Sequence, residues 1–256
     1  MLKNILHFGR SKSDGRVGYS YVSNADDCPM SLAQTGQIVR VEGKGPPWIV
    51  VDEAPTTAIL ARWPGRLWKV SIIEAAPEKD QPLAYARYVR ALAVKVIDEQ
   101  NPARLFGEQG EGVLTILNHA AVLTHEIALK LSSVRHPDAP TTYDRVFRRW
   151  ADAEGIEIGY DESLDGTLRV GSMPHGSPIY EGLSVLHTVV FQRAKILGGE
   201  AATTIEDEDE YLNEPWQTAG AVLADAALAL GAPKFVSASD QAILLKGWAG
   251  LEDRRL

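Results

Sequence analysis

The sequence has one cysteine, Cys28, in 256 residues. No intramolecular disulfide is possible, and nothing points to an oxidising compartment. A thiol nucleophile would need an electropositive surrounding that no neighbouring residue supplies, so Cys28 reads as a small packing residue. No uninterrupted apolar run approaches the ~20 residues of a membrane-crossing helix. The N-terminal stretch, residues 1 to 8, has no long apolar core and no small-residue cleavage site, which argues against a secretory leader. These absences lead us to expect a cytoplasmic protein with no membrane partner. Recognisable motifs are missing as well: no complete zinc-protease helix, no P-loop, no dinucleotide fingerprint and no calcium loop. The chain therefore carries no sign of a cofactor or a metal.

What is present is uneven. Residues 1–70 carry nine Lys/Arg against six Asp/Glu, and residues 71–256 carry seventeen against twenty-eight. The net charge of −8 disfavours binding to nucleic acid or anionic lipid. The first third reads as short extended segments punctuated by Gly and Pro. Gln37–Glu42 and Trp48–Asp52 are expected to be strands, joined as a hairpin through residues 43–47. Trp48–Asp52 is apolar enough for burial on both faces. Ala54 to Trp63 is expected to form a short helix ended by Pro64-Gly65. Arg66 to Ile73 is expected to be a strand in which Leu67, Val70 and Ile72 require a bulge or two-sided burial. Residues 83–99 fit two periodicities, and the spacing of Tyr85, Tyr88, Val89 and Leu92 favours a helix to about Leu92, with a strand over 91–97 as the alternative.

Beyond residue 83 the pattern is mainly helical. Val113, Ile116, Leu117, Ala120, Thr124, Ile127, Ala128 and Leu131 form one stripe from Gly112 to Val134. Thr141-x-x-Asp144 suggests a capped helix burying Val146, Phe147 and Trp150. Residues 156–170 suggest a hairpin turning at Asp165-Gly166. Ser177-Pro178 and Asn213-Glu214-Pro215 open two further helices, ended by Gly198-Gly199 and Gly231. Ser237-x-x-Asp240 caps a last one through Trp248. The fold class that follows is α+β, with a small β-rich part over residues 1–80 packed on a mainly helical part over 83–256. Residues 77–82 are a linker candidate, and the two parts either form separate domains or share one core.

Candidate chemistry is sparse. His119 and His125 sit six apart, which points them away from each other on a continuous helix. His187 flanks an apolar stripe. His175 precedes a helix start, where an anion could meet it. Gly107–Gly112 is glycine-rich, but Glu108 and Glu111 would repel phosphate and suit a helix N-terminus instead. Arg62, Trp63, Arg66, Trp68 and Lys69 interleave cations with aromatics, and Asp26-Asp27 and Asp52-Glu53 are acidic pairs. Glu206, Asp207, Glu208, Asp209 and Glu210 are five consecutive acids, read as a solvated loop or as a docking element for a basic partner.

Two functional expectations follow. The first is a non-catalytic interaction factor (an inhibitor, immunity-type protein or adaptor) that binds a basic partner through residues 206–210. The alternative is a nucleotide-handling enzyme, such as an ADP-ribosyltransferase-like protein, with Arg62 or Arg66 meeting phosphate, Glu74 or Asp52 near the reacting centre and His175 as the first histidine to test. A structural component of a larger assembly is a third class.

Overall fold

The structure is a computed structural model, and it describes residues 15–43, 45–58, 60, 62–82, 86–154, 158–160, 168–170 and 178–252. The chain is α+β, as expected. Five strands make the first sheet: β1 (Val17–Ser23), β2 (Ile38–Arg40), β3 (Ile49–Asp52), β4 (Gly65–Ala75) and β5 (Tyr88–Gln100). The order is β2-β5-β3-β1-β4, and β4 also pairs with β5, so the sheet closes on itself as a small barrel.

β5 corrects the helix expected to about Leu92. It is a strand of 13 residues. Its β-branched run, Val94-Lys95-Val96-Ile97, packs better on a pleated surface than in a helix. Tertiary pairing then settles what periodicity left ambiguous: β4 lies along most of one side, while β3 and β2 share the other. The expected hairpin between β2 and β3 is also absent, because each pairs with β5 instead. Residues 77–82 connect the two most extensively paired strands. Gln81 binds there in three directions, donating to the carbonyls of Ala76 and Arg90 and accepting from the Arg90 amide.

β4 resolves its own sequence puzzle. Leu67 faces the helical layer, in one cluster with Trp63, Phe106, Ile116 and Leu117. Trp68, Val70 and Ile72 face into the barrel with Val39, Val51, Val94 and Val96. Burial is therefore two-sided, and the register against β5 also shifts at Lys69/Val70. β3 is more exposed than expected, because Val50 points to solvent. Among the described residues of the helix expected over 54–63, only a 3-10 turn at Pro55–Thr57 forms.

Seven α-helices follow among the described residues. α1 (Gly110–Ala121) and α2 (His125–Val134) replace the single helix expected over 112–134. Thr124 caps α2 by accepting from the Ile127 amide, and the Leu123 carbonyl is taken up by the Arg193 guanidinium. A threonine that suited the apolar stripe is thus the point where the helix breaks. α3 (Ala139–Glu154) buries Val146, Phe147 and Trp150 as expected. β6 (Ile158–Tyr160) and β7 (Leu168–Val170) pair antiparallel, as the expected hairpin requires, and its Asp165-Gly166 turn lies outside the described residues. α4 (Pro178–Gly198) leads to a second hairpin, β8 (Thr203–Glu206) and β9 (Asp209–Leu212), and then to α5 (Trp216–Gly231). The last expected helix is divided into α6 (Ala238–Leu244) and α7 (Lys246–Glu252), and Ser237 caps α6 by accepting from the Asp240 amide.

The main core joins sheet to helices: Trp63 meets Phe106 at 5.9 Å, and Phe106 shares a cluster with α1, α4 and α5. A 3-10 turn at Pro102–Phe106 brings the chain from β5 to α1. Gly110 lies so close under this turn that a Cβ there would overlap the Ala103 carbonyl oxygen. Gly110→Ala is expected to lower stability by about 1–3 kcal/mol, the usual cost of overpacking. Urea denaturation of the two chains checks this, and equal midpoints contradict it.

Candidate functional site

The acidic run does not form an irregular loop. Glu206 ends β8, Asp209 opens β9, and Asp207 and Glu208 form the turn with φ of 49° and 73°. Two consecutive positive φ values match the primed hairpin turns, whose twist suits the flanking strands. The price is a left-handed backbone at two non-glycine residues, which Asp tolerates better than most. Glu206 to Asp209 are exposed. Glu210 behaves differently. Lys195 on α4 reaches both its carboxylate oxygens, at 2.8 and 2.9 Å, and the Thr203 hydroxyl donates at 2.7 Å. The Lys195 hydrogen bond, helped by Thr203, holds the Glu210 carboxyl below the usual range. One acid of the five thus fastens the hairpin to α4, Asp209 takes up the neighbouring Tyr211 hydroxyl, and Glu206, Asp207 and Glu208 stay exposed.

Beneath the hairpin lies a groove of about 500 Å³ between α4 and α5. Leu183, Leu186 and Val190 of α4 form one wall, and Gly220, Ala221 and Ala224 of α5 form the other. Leu212 closes the apolar floor, and the rim carries His187, Gln217, Asp209, Glu210 and Tyr211. Helical spacing of 3, 4 and 7 accounts for the α4 wall. The small residues of α5 account for the depth. Partial burial and the neighbouring Asp209 raise the Tyr211 phenol above its ordinary value.

The residues singled out for an enzyme are not gathered in this way. The Arg66 guanidinium makes a two-pronged pair with Glu99, both contacts at 2.8 Å, and lies 4.3 Å from the Trp68 ring centre. The Glu99 hydrogen bond raises the Arg66 pKa, and the same bond lowers that of Glu99. Glu74 pairs with Arg40. Arg66 and Glu74 are eight positions apart on β4, about 25 Å at the rise of an extended chain. They do not meet at one centre. His175 lies outside the described residues. Arg62 is near Asp26, at 3.7 Å, and Trp63 is buried against Tyr21 and Phe106. His119 packs edge-on to Trp248 and His125 lies against Trp216. Glu111 accepts from the Asn101 amide at the start of α1. Asp52 is buried, and burial pushes its carboxyl up to about 8. The cavity in that part of the barrel, about 230 Å³, is lined by Tyr21, Asp26, Cys28, Met30 and Trp48, among others, but not by Asp52. Among the described residues no three His, Cys, Asp or Glu side chains are placed to hold a metal ion.

No protein-family model, curated protein or solved structure matches the chain. Among the described residues no helix is long and apolar enough to cross a membrane.

Sequence reasoning found the acids and missed the groove beside them. Leu183, Leu186 and Val190 read as one core-facing stripe, and tertiary packing buries the last two while leaving Leu183 half-covered. Lys195 gave no signal either, because its partner Glu210 sits across a turn whose geometry periodicity does not reveal.

Proposed function

We propose that this chain is a non-catalytic interaction protein that binds a basic partner through the acidic hairpin. The observation that carries this reading is the display of Glu206, Asp207, Glu208 and Asp209 on a hairpin turn, anchored to α4 by the Glu210–Lys195 pair. A disordered acidic loop loses entropy when a partner orders it, and a hairpin has already met much of that cost. Clustered carboxylates also steer a cationic partner and raise its association rate. The nucleotide-handling alternative has less support, since Arg66 is engaged by Glu99 and Trp68 while Glu74 is engaged by Arg40.

The test compares the wild-type chain with a variant carrying Glu206→Gln, Asp207→Asn, Glu208→Gln and Asp209→Asn. Both are used to capture proteins from native lysate at low and high salt. Basic proteins held by the wild type at low salt are expected to be lost from the variant and released by salt. An identical captured set for both chains overturns the reading.

A further inference from the structure

We propose that the groove between α4 and α5 receives the apolar face of a basic amphipathic helix belonging to the partner. This rests on the acidic-docking reading and says what the partner presents. Two packed helices with an open apolar seam offer the place where a third helix lies, with its i, i+3, i+4 and i+7 side chains as anchors. The seam has that form here: half-buried Leu183 faces Ala221 and Ala224 across about 500 Å³, with Leu186 and Val190 buried at its base. The small α5 side chains let an incoming helix approach closely.

One further exposed apolar side chain lies past the cavity, beyond the Glu210–Lys195 pair. Ile205 opposes Glu210 in the hairpin and shares its face with Leu212, which is part of the groove floor, yet Ile205 is 73% exposed. A small ligand confined to the cavity would leave that residue uncovered, and a helix running along the seam would reach it. Charge decides the sign of the occupant. The hairpin stands at one side of the seam, and its turn presents Glu206 to Asp209 free of ion pairs among the described residues. Lys195, the cation beside it, is already consumed by Glu210. A helix lying under this hairpin therefore needs Lys or Arg along the flank facing the turn. An acidic or neutral helix of the same apolar pattern meets uncompensated carboxylates.

The probe is a synthetic peptide about four helical turns long, with Leu at i, i+3, i+4 and i+7 and Lys on the flanks. Its controls are a scrambled peptide of the same composition and a version with Glu in place of Lys. Fluorescence anisotropy reads binding to the full chain, and circular dichroism reads helix gained by the peptide. The Leu/Lys peptide is expected to bind, to become helical, and to exceed the scrambled peptide by about tenfold or more in affinity. Ala221→Trp, which fills the seam, and Gln217→Trp, at its exposed rim, are each expected to weaken binding by about tenfold. Using both keeps the result readable if one of them perturbs folding. Equal binding of ordered and scrambled peptides, or full binding by both tryptophan variants, overturns the helix-in-groove inference. If the four-amide variant nevertheless abolishes such binding, acidic docking stands without it. Undiminished binding to the four-amide variant overturns acidic docking itself.

Discussion

Arg135→Ala is expected to cost the fold about 3 kcal/mol or more, the range in which removing one partner of a buried ion pair falls. Asp225 is 2% exposed on α5, and Arg135, just past the end of α2, clasps both its oxygens at 2.9 and 3.1 Å. Burial raises the Asp225 carboxyl pKa, and the hydrogen bond from Arg135 works against that rise. Without the guanidinium only the burial effect remains. The carboxylate is then either charged and unpaired in an apolar setting or protonated. The loss should therefore be largest at neutral and alkaline pH and shrink as pH falls far enough to protonate Asp225. Replacing both residues by apolar ones of similar volume, Arg135→Met with Asp225→Leu, should recover most of it, because the desolvation cost disappears with the charges. Urea unfolding of the single and double variants across pH supplies the check. A single variant as stable as the wild type would show that Asp225 finds another partner.

The second large effect concerns Asp52. Its pKa of about 8 in the fold lies far above the 3.8 of an unperturbed aspartate. The folded state therefore holds its proton over a range in which the unfolded chain has released it. Stability from this group is fully present below about pH 4 and is lost as pH rises towards 8, by up to about 1.4 kcal/mol per pH unit. The integrated loss has a ceiling of roughly 6 kcal/mol, a large share of the ~5–15 kcal/mol that holds a domain together. Asp52→Asn keeps the shape and removes the titration. That variant should match the wild type near pH 4 and exceed it by several kcal/mol above pH 8. Parallel stability curves for the two chains from pH 4 to 9 would refute this. The experiment also separates a structural acid from a functional one, since a buried neutral carboxyl at β3 needs no substrate to explain its pKa.

Local signals served the helical part well. Pro178, Gly198, Ser237 and Gly231 mark helix ends through capping and breaking chemistry, which acts within one turn. Val146, Phe147 and Trp150 were readable as core because a 3.6-residue stripe needs no knowledge of its partner. The failures share a cause. β5 competes between two periods, and only β4, β3 and β2, brought from distant positions, decide in favour of the strand. At the break before Thr124 the Leu123 carbonyl is taken up by Arg193, 70 positions further along the chain. The site divides the same way. Five consecutive acids are visible in any reading, whereas the seam beside them exists only because α4 and α5 pack and leave part of their apolar faces open.

The sharing of β5 has a consequence for how the chain acquires its shape. β1 and β4 can zip together once residue 71 has been made, since their register runs from Val17↔Ser71 to Ser23↔Gly65. Among the described residues β2 has no strand partner other than β5, and β3 has only the single pair Tyr19↔Asp52 besides. Until synthesis passes Gln100, two apolar ribbons wait with open edges for a template that does not yet exist. The length of the wait is set by chain elongation, and open edges are what stray chains attach to. Crowded translation is therefore a condition under which this barrel is exposed to misassembly.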